Sequence, residues 1–178
     1  DLTSDTVRVL MSGRYSAAQG NFTYQDTNGR DQIRSNNHHQ NGGGGLQVEW
    51  RTNSSRKWSL LTDIYEDQRG EPGSSESPSL TAQSRQSRRT ARLTLDDSHF
   101  FNGSLRLRSS VGTLFRSYEF EDPRTTFGLT SEKFSLSDYA VDSRTEIMVY
   151  PSERLFIQAS GDGTYANAKT NGTGQARN

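Results

Sequence analysis

The chain of 178 residues contains no cysteine, and only 29% of its residues are apolar. The missing cysteines argue against a small secreted domain, whose thin core would normally require disulfides. No stretch approaches the roughly 20 consecutive apolar residues of a membrane-spanning helix. The 21 basic and 21 acidic side chains balance each other. Because nucleic-acid binders usually carry a basic excess, we expect no nucleic-acid partner.

The apolar residues that are present follow a period of two, which is the pattern of β-strands with one apolar side. Aromatic residues make up 10% of the chain, and together with the ordered alternation they argue against disorder. The alternation predicts an all-β chain of about seven strands, near residues 7–25, 45–51, 58–65, 91–96, 103–123, 139–150 and 155–165.

Short and long connections alternate between these predicted strands. The short ones are TNSSRK, DSHFFNG and PSER. The aromatic residues beside the short connections are Trp50, Trp58, Phe100, Phe101, Tyr150 and Phe156. The aromatic residues toward the long connections are Tyr24, Tyr65, Tyr118, Phe120 and Tyr139. Two aromatic levels, with short turns at one end and long loops at the other, are typical of an antiparallel transmembrane β-barrel, whose rings lie at the two membrane interfaces.

The alternation also predicts which side of each strand meets lipid. A spanning strand needs about 9–11 residues, and arginine on the lipid side near the bilayer midplane costs about 2–4 kcal/mol. The predicted lipid-facing residues are Leu105, Leu107, Val111, Phe115, Val141, Ile147, Val149 and Ile157. The predicted lumen-facing residues are Arg8, Arg14, Glu49, Asp63, Arg92, Arg106, Arg108, Arg116, Asp142, Arg144 and Glu146.

Alternation by itself also fits a half-exposed strand of a soluble β-sandwich. Such a protein would be a binding or adhesion module with its recognition residues in the long loops. The rhythm of the loops and the paired aromatic levels favour the barrel over the sandwich.

Three stretches resemble TonB-dependent outer-membrane receptors. They are GNFTYQDTNGRDQIRSNNHHQNGGGGLQVEW at residues 20–50, WSLLTDIYEDQRGEPG at 58–73 and FEDP at 120–123. The resemblance covers roughly residues 7–123. It implies a protein in the outer membrane of a Gram-negative bacterium that imports a scarce ligand, such as an iron chelate, cobalamin or an oligosaccharide. It also implies outer-membrane lipid, a plug domain and an inner-membrane energising complex as partners.

The sequence departs from this family in three respects. Neither a plug domain nor a TonB-contacting motif is visible, and barrels of this family have about 22 strands. Seven strands cannot close so large a barrel, and an open edge in lipid leaves backbone groups unsatisfied. We therefore expect residues 1–178 to be part of a β-barrel domain within a longer polypeptide. A passive porin or another outer-membrane β-barrel is the alternative within the same membrane.

No motif predicts catalysis, a cofactor or a metal site. His38 and His39 have no carboxylate or cysteine at ligand spacing, which favours a solvated loop. The stretch NGGGG at 41–45 lacks the lysine of a phosphate-binding loop and indicates a flexible loop that leads into a strand. Asp96 and Asp97 are adjacent in a predicted strand, so their side chains face opposite sides. We expect the chain not to be an enzyme.

Overall fold

The computed structural model describes residues 2–3, 6–26, 28–73, 79–101, 103–123, 132–152 and 155–173. These ranges consist of β-strands and their connections. The strands are β1 (Leu2–Thr3), β2 (Val7–Ala18), β3 (Phe22–Gln25), β4 (Asp31–Arg34), β5 (His39–Arg51), β6 (Arg56–Gly70), β7 (Gln83–Phe100), β8 (Leu105–Asp122), β9 (Glu132–Ser152) and β10 (Leu155–Thr173). Within the described ranges, no helix has the length and apolar character needed to cross a membrane.

One antiparallel sheet contains all the long strands. Its order is β1-β2-β5-β6-β7-β8-β9-β10, so each long strand pairs with its predecessor in the sheet as the chain runs up and down. The hairpin of β3 and β4 forms a separate two-stranded sheet in the connection between β2 and β5. The predicted antiparallel arrangement of seven long strands is confirmed, with the two-residue β1 as an additional edge strand.

The connections lie at opposite ends of the sheet according to length. Residues 52–55, 101–104 and 153–154 make the short connections, and antiparallel pairing puts all three at one end. The long connections, at 19–38, 71–82 and 123–131, lie at the other end. The predicted alternation of short and long connections is therefore confirmed. Residues 124–131 lie outside the described ranges.

Several predicted strand boundaries were wrong. The first strand ends at Ala18 and not near residue 25, because Gly20 adopts a φ of 64° and turns the chain toward the β3–β4 hairpin. Tyr24 therefore lies in that hairpin and not in a long strand. The second strand begins at His39, so the glycine run Gly42–Gly45 belongs to β5 and is not a loop. Its backbone pairs with β2 on one side and with β6 on the other.

The strand register divides the sheet into two faces, because residues that pair across strands share a side and successive residues alternate. We call face A the side with the row Val9, Val48, Leu60, Leu93 and Val111, which runs from β2 to β8. We call face B the side with the neighbouring row Arg8, Glu49, Ser59, Thr94, Ser110 and Arg144.

The two predicted sets of residues separate completely between these faces. Face A holds every residue predicted to face lipid: Leu105, Leu107, Val111, Phe115, Val141, Ile147, Val149 and Ile157. Face B holds every residue predicted to face the lumen: Arg8, Arg14, Glu49, Asp63, Arg92, Arg106, Arg108, Arg116, Asp142, Arg144 and Glu146. The segregation follows from a register in which the period of two holds along the long strands, with shifts in the described ranges only at the short-connection end, between Asp97 and Phe100 and between Leu155 and Ile157.

The sheet is a single layer without a hydrophobic core of its own. Among the described residues, Ala82 is the only buried hydrophobic side chain, whereas Met11 is 69% exposed and Ile157 is 55% exposed. Strands of the described ranges contact only their neighbours in a sheet, so the second layer of a sandwich is not found there. Covering one exposed aliphatic side chain is worth about 1.5–3 kcal/mol. Face A therefore gains its stabilisation only when an apolar medium or partner covers it.

Candidate functional site

Face B carries a network of ion pairs between strands. Arg106 donates to both carboxylate oxygens of Asp96, with N–O distances of 3.2 and 3.0 Å. Arg116 also binds Asp138 through both of its oxygens, and the shortest N–O distance is 2.5 Å. Each pair joins two neighbouring strands. All four side chains are at least one-fifth exposed, and ion pairs in water contribute only about 0–1 kcal/mol each.

Two further contacts on face B cross a whole strand, and each does so over a glycine. Arg92 of β7 binds Asp142 of β9 at 2.7 Å, and Gly112 of β8 stands between them in register. Arg14 of β2 lies over the ring of Tyr65 of β6 at 5.0 Å, and Gly43 of β5 stands between them. Only glycine leaves room for such contacts, because a Cβ atom at Gly112 would lie 2.5 Å from Asp142 Oδ1.

The aromatic residues at the short-connection end are arranged partly as predicted. Trp50 and Trp58 are paired residues of face A, and their rings stack with centroids 6.0 Å apart and planes 8° apart. Phe100 pairs with Leu105 on the same face. Tyr150 follows Val149 and therefore lies on face B, where its hydroxyl donates to Met148 Sδ at 3.5 Å.

The other two aromatic residues of this set, Phe101 and Phe156, lie at the short-connection end where the strand pairing is irregular. Phe101 is 76% exposed in the turn between β7 and β8, with a φ of 53°. Phe156 is 63% exposed and lies at a register shift between β9 and β10. Neither residue extends the Trp50–Trp58 row.

The residues of the second predicted aromatic level lie toward the long connections, but most of them are not on the face of the Trp50–Trp58 stack. Tyr65, Tyr118 and Phe120 lie on face B, opposite to the Trp50–Trp58 stack. On face A the aromatic residues toward the long connections are Tyr15, Phe115, Tyr139 and Tyr165, and the last two rings contact each other with centroids 5.8 Å apart. Counting in steps of two from the apolar residues of each strand separates these sets, so the signal is present in the sequence.

Asn36 links the described parts of the 19–38 and 71–82 connections. Its side-chain amide donates to the carbonyl oxygens of Glu71, Ser79 and Ala82 at 3.2, 3.2 and 2.8 Å. Asn36 has a φ of 59°, a conformation that asparagine tolerates better than most residues. The backbone N–H of Gly70 donates to His38 O at 2.8 Å in the same region. These contacts join the 19–38 and 71–82 connections, a link that the sequence alone does not predict.

His39 is not in a solvated loop, contrary to the prediction. It belongs to β5 and its Nε2 lies 2.6 Å from Oδ1 of the buried Asp67 on the neighbouring strand. Arg69 donates to the other oxygen of Asp67 at 2.7 Å. The prediction missed this contact because the carboxylate comes from β6 and not from nearby sequence. In the described ranges, no three His, Cys, Asp or Glu side chains are placed to hold a metal ion together.

Asp96 and Asp97 lie on opposite faces, as their adjacency predicts. Asp96 binds Arg106 on face B. Asp97 is buried at the short-connection end, where it accepts a hydrogen bond of 2.8 Å from Arg56 and one of 3.0 Å from the His99 backbone N–H. The two carboxylates therefore cannot act as one acid–base pair.

The turn of the β3–β4 hairpin is organised by Asp26. Its Oδ1 accepts hydrogen bonds of 2.9 Å from the backbone N–H groups of Arg30 and Asn28. The hydrogen bond from Arg30 is the main cause that holds the pKa of the Asp26 carboxyl below its ordinary value, because it favours the ionised form.

No known family model matches the chain, and no curated protein matches it.

Proposed function

We propose that the chain forms part of the wall of a transmembrane β-barrel in a bacterial outer membrane. Face A would meet lipid and face B would meet a water-filled lumen. The observation that carries the proposal is that every residue predicted to face lipid lies on one face of a single sheet and every residue predicted to face the lumen lies on the other, while nothing in the described ranges covers the apolar face. A bilayer supplies the apolar medium that such a face requires.

The extent of the apolar band on face A supports this proposal. At about 3.3 Å per residue and a tilt of about 40°, the stretch from Leu105 to Phe115 rises about 25 Å, which is the height of the apolar band on outer-membrane barrels. Beyond Phe115 the same face of β8 becomes polar, with Glu119 and Glu121, and Glu121 lies 3.8 Å from Lys133 of β9. The strands therefore continue past the band, as the strands of barrels with large outer loops do.

The chemistry of face B also fits a lumen wall. Four of its arginines, Arg88, Arg92, Arg106 and Arg116, are paired with carboxylates of other strands, and their side chains remain 42–59% exposed. A face of this composition would cost several kcal/mol in contact with hydrocarbon and costs nothing against water. Within this class, we propose a TonB-dependent receptor that imports a scarce ligand. This more specific assignment rests on the resemblance at residues 20–50, 58–73 and 120–123.

The assignment of the faces can be tested with two neighbouring residues of similar size. The chain has no cysteine, so Ser110→Cys and Val111→Cys each introduce a single thiol, on face B and face A respectively. In protein reconstituted into phospholipid vesicles and treated with a membrane-impermeant maleimide, we expect Ser110→Cys to be modified at least tenfold faster. A bilayer-confined quencher should instead affect a fluorophore attached at Val111→Cys. Equal rates at both positions would refute the proposal.

Energy dependence separates a TonB-dependent receptor from a passive barrel. Cells with and without the protein would be compared for accumulation of a labelled ferric chelate, cobalamin and a maltooligosaccharide. We expect accumulation of one of them against its gradient, and its loss when an uncoupler collapses the inner-membrane potential. Uptake that persists unchanged with the uncoupler would support the porin alternative instead.

A further inference from the structure

A pocket on face B is enclosed by three arginines from three consecutive strands. It has a volume of about 290 Å³ and is lined by Arg92, Thr94, Arg108, Ser110, Arg144 and Glu146. Its lining carries three positive charges against a single negative one. The strand register brings these residues together, since Thr94, Ser110 and Arg144 occupy one row and Arg108 and Glu146 occupy the adjacent row.

Three carboxylates around the pocket, Asp142, Glu146 and Asp96, bind partners other than Arg108 and Arg144. Asp142 binds Arg92 at 2.7 Å. Glu146, which is opposite Arg108 in register, accepts a hydrogen bond of 2.5 Å from Gln158 of β10. Asp96, opposite Arg108 on the other side, binds Arg106 through both oxygens.

The guanidinium groups of Arg108 and Arg144 are consequently not paired with these carboxylates. Within the described residues, neither Arg108 nor Arg144 forms an ion pair, although Asp162 of β10 is opposite Arg144 in register. Both arginines are exposed and line the same pocket. They differ in this respect from Arg92, Arg106 and Arg116, which each bind a carboxylate.

We propose that this pocket binds the oxyanion group, phosphate or carboxylate, of a soluble ligand. Guanidinium groups present planar pairs of N–H donors that match such oxygens, and charge-assisted hydrogen bonds of this type are stronger than neutral ones. The hydroxyls of Thr94 and Ser110 in the lining of the pocket supply additional donors. The bound oxyanion would take the place of the carboxylates that Arg108 and Arg144 lack.

The inference rests on the proposed function only in requiring that face B meets water. The maleimide experiment at Ser110→Cys tests that requirement separately. A face B that is accessible to maleimide but binds no oxyanion would overturn this inference and leave the barrel proposal standing.

Inorganic phosphate is the probe for the test. The reconstituted protein, with ¹⁵N-labelled arginine, would be titrated with phosphate at constant ionic strength, with chloride as the reference. We expect saturable shifts of the Nε–H signals of Arg108 and Arg144. Arg108→Gln or Arg144→Gln should each weaken phosphate binding about tenfold, which is the effect of losing one hydrogen bond between charged groups.

Two matched variants complete the experiment. Arg116→Gln removes an arginine from the same face and the same strand as Arg108, but outside the pocket, and should change the affinity less than twofold. Glu146→Gln removes the only carboxylate in the lining and should strengthen binding severalfold. The proposal fails if phosphate causes no saturable shift, if Arg116→Gln weakens binding as much as Arg108→Gln, or if Glu146→Gln has no effect.

Discussion

Arg92 and Asp142 are two strands apart and yet lie 2.7 Å from each other, because Gly112 of the intervening strand has no side chain to separate them. Gly112, which has no side chain, therefore determines which charged residues can pair on face B. The corresponding arrangement of Arg14 and Tyr65 over Gly43 shows that the sheet uses the same device twice.

Gly112→Ala should therefore break the ion pair between Arg92 and Asp142. The added Cβ would lie 2.5 Å from Asp142 Oδ1 and 2.9 Å from Arg92 Nη2, so both side chains must move away. Because the pair is exposed, we expect a loss of about 0.5–1 kcal/mol in the free energy of unfolding. Denaturant unfolding of the reconstituted protein measures this loss.

Gly161→Ala is the matched control for Gly112→Ala, since a Cβ at position 161 meets no atom within 4 Å, and this substitution should be neutral or stabilising. Equal effects of the two substitutions would contradict the explanation.

Trp58→Ala should destabilise the protein through loss of the stack with Trp50. The pair interaction itself contributes about 0.5–1.5 kcal/mol beyond the burial of the rings. Trp58→Phe should recover most of this loss because a ring remains above Trp50. Phe101→Ala serves as the control, since Phe101 is 76% exposed in its turn. The free energy of unfolding would be measured for all three variants. A loss in Phe101→Ala as large as that in Trp58→Ala would argue against a specific contribution of the stack.

Asn36→Ala should loosen the link between the 19–38 and 71–82 connections. The substitution removes the side-chain amide donor from the carbonyls of Glu71, Ser79 and Ala82, of which Ala82 O keeps the Glu71 N–H, at a cost of about 1–3 kcal/mol. Amide hydrogen exchange at Gly70 and Glu71 measures the effect, because their N–H groups donate to His38 O and Ala82 O in this region. We expect exchange to accelerate by about fivefold to a hundredfold.

Two companion substitutions separate the contributions of Asn36. Asn36→Gly keeps the φ of 59° accessible and removes only the amide, so it should be milder than Asn36→Ala. Asn37→Ala removes a single hydrogen bond to Gly20 O and should leave exchange at Gly70 and Glu71 unchanged. If Asn37→Ala accelerates exchange at Gly70 as strongly, the link does not depend on Asn36.

The β3–β4 turn should weaken in acid because of Asp26. Since the pKa of this carboxyl is lowered in the folded turn, its stabilising contribution is complete above the ordinary value of 3.8 and is lost as the pH falls through the folded pKa. Exchange at the Arg30 amide should rise in that window relative to the intrinsic rate. Asp26→Asn keeps the side-chain acceptor without the charge, and should remove the pH dependence. A persistent acid transition in Asp26→Asn would assign it to another group.

The faces of the sheet were predictable from sequence, whereas the ends of its strands were not. The faces on which Leu107 and Arg108 lie can be predicted from the local sequence, because a period of two can be recognised without knowing the partner strand. Residues 39–45 were missed as strand because they are rich in glycine and asparagine, which are poor strand formers, and residues 83–90 because they contain no apolar residue that could alternate. Backbone pairing on both sides overrides that propensity.

Contacts between strands required the register and were therefore beyond the sequence. His39 meets Asp67 diagonally between two paired strands, and Arg92 meets Asp142 across Gly112, so both contacts depend on the register. The error at Tyr65, Tyr118 and Phe120 was different in kind. It came from grouping aromatic residues by their distance from a loop, without counting which side of the strand each one occupies.

The glycine run of β5 has a mechanical consequence. A sheet that bends crowds the side chains on its concave side, and glycine relieves that crowding. On face B, Gly43 and Gly45 leave the middle of β5 bare, and the backbone of β6 already comes so near that a Cβ atom at Gly43 would lie 2.5 Å from Ile64 O. The stretch between β2 and β6 is thus the part of the sheet that can bend toward face B at the least steric cost.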